Sequence, residues 1–126
     1  MEGDQKFIRS DEVARWHWGE GNKYVMEGGK SLFWLNGGAA AGMLTFIGNK
    51  NVPITCGLRA AIFLFAVGSL FAAALFTSAY MAQLNYGKGG KDDLLWAERW
   101  HYVGYASATL SLASFAVGVI IAALSL

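Results

Sequence analysis

Residues 35–42 read Leu35-Asn36-Gly37-Gly38-Ala39-Ala40-Ala41-Gly42, within an uncharged run that extends from Lys30 to Lys50. Six consecutive Gly or Ala residues cannot build a soluble core, because they offer almost no side-chain area to bury. In a bilayer the same residues let two helix backbones come into close contact. We therefore expect a membrane protein whose fold depends on close helix packing.

The spacing of small residues indicates where such contacts occur. Gly38 and Gly42 form a GxxxG pair, and Gly37 with Ala41 repeats the same spacing one residue earlier. Asn36 lies beside them, and an amide in hydrocarbon is costly unless it forms hydrogen bonds across a helix interface. Rows of small residues four apart recur later in the chain. The predicted helix-packing residues are Asn36, Gly37, Gly38, Gly42, Gly68, Ser114 and Gly118.

Composition excludes several classes of protein. The chain has 126 residues, of which 55% are hydrophobic and 15% are charged, whereas soluble domains carry about 25% charged residues. The formal net charge of +1 provides no field that would attract nucleic acid. The single cysteine, Cys56, excludes an internal disulfide framework and indicates no metal cluster. We expect neither nucleic-acid binding nor a metal site.

Hydrophobic runs predict three membrane spans, at about 31–47, 54–84 and 100–126. The expected fold class is an all-α integral membrane three-helix bundle with helical cytoplasmic extensions, and residues 31–126 form its transmembrane domain. Residues 1–30 are expected to form an amphipathic helix that leads into span one. This helix either lies in the headgroup plane or extends span one, and we favour the extension because no Pro or strong turn precedes Ser31.

Local signals predict where the helices begin. Ser10 is a plausible N-cap of the first helix, and Asp92 or Asp93 can cap the third. Pro53 suits the first turn of the second helix, where its missing N–H has no cost.

Charge and aromatic residues predict the orientation. Basic residues are concentrated before span one and between spans two and three, and only Lys50 and Arg59 lie on the opposite side. The positive-inside rule then places the N-terminus in the cytoplasm and the C-terminus outside. All Trp and Tyr residues fall on the cytoplasmic side or in the inner half of the spans. Arg59 either reaches the outer headgroups or faces a bundle interior or pore, and we favour the headgroups.

A short pattern occurs twice at the predicted inner interface: Arg15-Trp16-His17-Trp18 and Arg99-Trp100-His101-Tyr102. Such residues usually anchor a helix at the headgroups, and we favour that interpretation for Arg15, Trp16, His17, Arg99, Trp100 and His101. The alternative is a haem or quinone site on the two histidines. We predict no cofactor, no catalytic residue and no enzymatic activity, because the chain contains no known catalytic or nucleotide-binding pattern.

The element Leu35-Asn36-Gly37-Gly38-Ala39-Ala40 at the start of a span resembles a group of small bacterial three-span membrane proteins that carry a similar LNGGAA element. The resemblance implies a bacterial inner-membrane location and transfers no catalytic residue. We expect a non-enzymatic protein that assembles with copies of itself through Gly/Ala/Ser faces, as a pore or membrane-permeabilising effector. The alternative is an accessory subunit of a larger respiratory or photosynthetic membrane complex. The expected partners are therefore the lipid bilayer and either identical chains or other membrane subunits.

Overall fold

The computed structural model of the chain describes residues 2–50, 53–88 and 90–126, with side chains for all of these except residues 2–11 and 17. The fold is almost entirely helical (95%), and the described residues contain no strand. The three helices are α1 (Glu2–Lys50), α2 (Cys56–Lys88) and α3 (Lys91–Ser125). The predicted all-α class is confirmed.

α1 is one continuous helix. It begins at Glu2, so the prediction that Ser10 is its N-cap is wrong, and it has no break at Ser31. The polar lead-in and the uncharged segment therefore belong to one element. Exposed ion pairs between side chains three residues apart, Lys23 with Glu20 and Lys30 with Glu27, lie along the polar part.

The starts of α2 and α3 also differ from the predictions. α2 begins at Cys56, and Pro53 precedes the helix instead of lying in its first turn. Thr55 is the cap, because its Oγ1 accepts a hydrogen bond from the backbone N–H of Leu58 at 3.2 Å. The N-cap of α3 is Gly90, which forms no side-chain capping bond. Asp92 and Asp93 lie in the first turn of α3, where their negative charges interact favourably with the positive end of the helix dipole.

α2 is the central helix, because α3 packs along it on one side and α1 packs against it on another, whereas α1 and α3 touch little. Buried residues of α2 follow one another at steps of three and four. They are Leu58, Ala61, Phe65, Gly68, Ala72, Leu75, Ser78 and Ala82. This spacing is the seven-residue repeat of helices that pack at small crossing angles.

α3 presents small residues to α2. Its buried residues are Ala97, Gly104, Ser107, Ser111, Gly118 and Ala122. A Cβ on Gly118 would lie 2.7 Å from Cε1 of Phe65, so the aromatic ring occupies the space that a side chain at position 118 would need. Phe65 also contacts the ring of Phe115, with 5.9 Å between centroids. Small residues on α3 therefore accept the larger side chains of α2.

Two of the helices are long and apolar enough to cross a membrane. The most apolar 18 residues of Cys56–Lys88 have a mean hydropathy of 2.2, and those of Lys91–Ser125 have 2.1. Only 28% and 22% of these windows are buried within the chain, so most of their apolar side chains face outward. In the described part of the chain α1 does not join them, because Asn36 and its neighbouring glycines lower the hydropathy of its uncharged segment.

Candidate functional site

The run of small residues in α1 is divided between two faces of the helix. Asn36 is buried, and Ala39 and Ala40 pack against the cluster formed by Ala61, Phe65 and Ala122. Gly38 and Gly42 are exposed on the opposite face, and nothing lies within 4 Å of a Cβ built on either glycine. Of the predicted packing residues, Gly38 and Gly42 therefore have open space beside them in the part of the chain that the structure describes.

Asn36 connects all three helices through hydrogen bonds. Its Nδ2 donates to Oγ of Ser111 at 3.2 Å and lies 3.3 Å from the backbone oxygen of the same residue. Oγ of Ser111 in turn donates to the backbone oxygen of Gly68 at 2.8 Å. Nδ2 of Asn36 also donates to the backbone oxygen of Leu32, 3.1 Å away in its own helix. We name Asn36, Gly68 and Ser111 the polar contact.

The polar contact requires glycine at position 68. A Cβ there would overlap Oδ1 of Asn36, with the rest of the carboxamide only slightly farther away. Gly68 and Asn36 are both buried, and Oδ1 of Asn36 has no hydrogen-bond partner in the described part of the chain. The carboxamide is therefore held between two backbones at van der Waals distance.

The other predicted packing residues have different environments. Gly37 faces Ser69, whose Oγ lies 3.7 Å from the position of a Cβ on the glycine. Gly118 contacts Phe65, as described above. Ser114 is only half-buried, whereas Ser111, one turn earlier, is fully buried and makes the hydrogen bonds. The sequence did not predict a role for Ser111. Ser114, Gly118 and Ala122 are spaced four residues apart, whereas Ser111 is three residues before Ser114 and does not belong to that row.

A cavity of about 370 Å³ lies between the three helices, on the side where α1 carries its polar lead-in. Trp18 and Gly28 of α1 line it, together with Gln83 of α2 and His101 and Tyr105 of α3. Glycines widen the space at this level, because a side chain at position 28 would meet nothing within 4 Å. The lining combines apolar, aromatic and uncharged polar side chains.

His101 lies at the centre of an aromatic cluster, which we define as His101, Trp18, Tyr86 and Tyr105. The imidazole is edge-on to Trp18 at 5.1 Å between centroids and stacks with Tyr105 at 6.5 Å. Trp18 and Tyr86 are themselves 4.6 Å apart in a T-shaped arrangement. Nε2 of His101 is buried and has no hydrogen-bond partner among the described residues. The cluster contains at least one residue from each of the three helices.

The two Arg-Trp-His patterns come together only in part. His101 and Trp100 line the cavity, and Trp18, which follows the first pattern's histidine, reaches it from α1. The side chain of His17 lies outside the described residues. Arg99 lies over the ring of Trp96 at 5.1 Å, and Arg15 and Trp16 are exposed residues of α1.

Arg59 lies in the first turn of α2 and is exposed. Its backbone N–H donates to the carbonyl of Thr55 at 3.1 Å. Its place at the helix end is compatible with both sequence interpretations, a headgroup contact and a position at a pore.

Comparison with protein families, curated proteins and solved structures finds no match. The polar contact is satisfied within the chain, apart from one oxygen. The outer glycine face of α1 and the cavity beside His101 are surfaces that a partner or a ligand can reach.

Proposed function

We propose that the chain is a small non-enzymatic membrane protein with three crossing helices, which associates with copies of itself through the outer face of α1. This outer face is defined by Gly38, Gly42 and the exposed residues Leu35, Ala41 and Thr45 on the same side of the helix.

The depth of α1 follows from the polar contact. Gly68 and Ser111 lie near the middle of α2 and α3, the two helices with the length and hydropathy of membrane spans. Asn36 is hydrogen-bonded to Ser111 at that level. If α2 and α3 cross a bilayer, the uncharged segment of α1 that contains Asn36 occupies the same depth. This supports a third span despite the lower hydropathy of α1.

The observation that supports self-association most directly is the exposure of Gly38 and Gly42. A glycine inside a helix costs about 0.5–1 kcal/mol relative to alanine. Gly68 and Gly118 recover this cost through contacts within the chain, whereas Gly38 and Gly42 have open space around them. Helices in bilayers associate through such GxxxG surfaces, because two identical copies can bring their backbones together there.

The test is a mass measurement on the protein in nanodiscs, with wild type compared with Gly38→Leu and Gly42→Leu. We expect wild type to be a multimer and each variant to be a monomer, because leucine holds the two α1 backbones apart. Thermal stability at low protein concentration should not fall in the variants, because a Cβ at either position has no described atom within 4 Å.

Gly87→Leu is the matched control, since it makes the same change at an exposed position of α2, away from the outer face of α1, with equally open surroundings. It should remain multimeric. A wild-type monomer would rule out self-association and favour the accessory-subunit alternative. Multimers that persist in both leucine variants would show that the interface lies on another face.

A further inference from the structure

We propose that the cavity between the three helices binds one acyl chain of a phospholipid from the leaflet that faces the polar lead-in of α1. The juxtaposition that carries this inference is a long space that is open along one side, apolar at one end and lined by amides at the other. The inference rests on the proposed crossing of a bilayer. It does not depend on self-association, because the outer face of α1 lies opposite its packed face.

The cavity is open along the side between α1 and α3. Leu75 and Ser78 of α2 form its floor and are buried. Val25 and Gly28 of α1 and Tyr105 of α3 form its two edges and are exposed. α1 and α3 touch little, so the described residues leave this side uncovered. In a bilayer the open side faces lipid, and an acyl chain can enter it without leaving the membrane.

The lining changes from apolar to polar along the helices. At about 1.5 Å per residue, Leu32 and Ala108 lie about 5 Å from the level of the polar contact, whereas Asn22 and Gln83 lie about 20 Å from it. The hydrocarbon core extends about 15 Å on either side of the bilayer midplane. With the polar contact near that midplane, the apolar end lies at the depth of lipid tails and the amides lie at the level of the headgroups. The ester carbonyls of a phospholipid can accept hydrogen bonds from these amides.

The shape and lining favour an acyl chain over other occupants. The volume of about 370 Å³ extends over about 15 Å along the helix axes, so the space is narrow for its length and a planar ring would fill only part of it. Its apolar end offers no partners to an ordered water, and an empty space would forfeit the van der Waals contacts that a chain supplies. A free fatty acid would bring a carboxylate, but none of the described residues that line the cavity is charged.

The experiment adds one kind of phospholipid to the delipidated full-length protein in detergent micelles and records lipid adducts by native mass spectrometry. We expect a single saturable adduct per chain with dioleoyl phosphatidylethanolamine. Dioleoyl phosphatidylglycerol should bind with similar affinity, because the lining carries no charge that would select a headgroup. Oleate should bind at least about tenfold more weakly.

Two results of this titration would overturn the proposal. Adducts that increase in number without saturation would represent the lipid that surrounds any membrane helix. Preferential binding of phosphatidylglycerol would assign the adduct to basic side chains at the surface.

Substitutions that fill the cavity test whether it is the site. Gly21→Leu combined with Gly28→Leu places two side chains there, and a Cβ at either position meets no described atom within 4 Å. This double variant should weaken the adduct at least about tenfold. Gly19→Leu combined with Gly87→Leu is the matched control, because both positions are equally open and neither lines the cavity. Both double variants should fold, because leucine favours a helix over glycine. Equal adducts in the two would overturn the proposal.

The same spectra separate the lipid site from self-association. Multimers without a saturable lipid adduct would overturn the lipid site alone, whereas monomers that each keep one phospholipid would overturn self-association alone. In protein purified without delipidation, an adduct with the mass of a quinone or a haem in place of a phospholipid would overturn the assigned occupant.

Discussion

At the scale of single residues, the fold depends on a carboxamide and a glycine that fit together. Asn36 can reach Ser111 only because Gly68 leaves the space between them open. Hydrogen bonds across helix interfaces contribute about 0.6 kcal/mol on average to the stability of membrane proteins. The larger effect is steric, since any side chain at position 68 would displace the carboxamide and separate α1 from α2.

We predict that Gly68→Ala destabilises the protein by about 1–3 kcal/mol, the usual cost of overpacking a well-packed site. The Asn36→Ala background should reduce this effect, because the atoms that a Cβ at position 68 would overlap are then absent. Unfolding by SDS titration in micelles measures the free energy of each variant and of the double variant. Gly38→Ala is the control and should not destabilise the protein, because its surroundings are open. Additive effects of the two substitutions would contradict the contact.

At the scale of the helices, α2 organises the chain. Its buried residues repeat at steps of three and four, so one face stays turned toward α3 along most of its length. The start of this helix is fixed by Thr55, whose hydroxyl oxygen accepts the backbone N–H of Leu58. The cap determines where α2 and its buried repeat begin.

Thr55→Ala should therefore lower the free energy of unfolding by about 1 kcal/mol, the typical effect of losing an N-cap. Thr109→Ala is the matched control. The Thr109 hydroxyl donates to the carbonyl of Tyr105 at 2.9 Å within an exposed part of α3, where the helix continues without it. Its removal should change stability by less than about 0.5 kcal/mol. Equal losses in both variants would argue against a capping role for Thr55.

Sequence reasoning predicts the elements of this fold better than their contacts. Hydropathy and turn residues suffice to place three helical segments, and the cost of a polar side chain in an apolar run identifies Asn36. Helical periodicity places Gly38 and Gly42 on the face opposite Asn36, but it does not show which of the two faces packs inside the chain. It also misses Ser111 and the cavity, because the register between helices depends on how Phe65 and Gly118 fit together. A periodicity read along one helix contains no information about that register.

At the scale of the whole molecule, the orientation of the helices across a membrane determines which side each site faces. The cavity, the aromatic cluster and the polar lead-in of α1 are at one end, and Cys56 with Arg59 is at the other. The positive-inside rule predicts that the end with the cavity faces the cytoplasm.

The single cysteine makes this orientation measurable. Cys56 is exposed at the start of α2, so a membrane-impermeant maleimide should label it in intact bacterial spheroplasts. A chain that carries Cys56→Ser together with Gly87→Cys should be labelled only after permeabilisation, because Gly87 is exposed near the opposite end of α2. The reverse labelling pattern would invert the predicted topology.

The polar contact also has a consequence for synthesis of the protein on the ribosome. Asn36 and its partner Ser111 are 75 residues apart in the chain, which corresponds to roughly 4–15 s at a translation rate of about 5–20 residues per second. During that interval, if α1 enters the bilayer as we propose, its amide lacks the partner from α3 and keeps only the hydrogen bond to Leu32 in its own helix. α1 alone is therefore the least favourable helix to insert into the membrane. Its insertion becomes stable only after α3 has been synthesised.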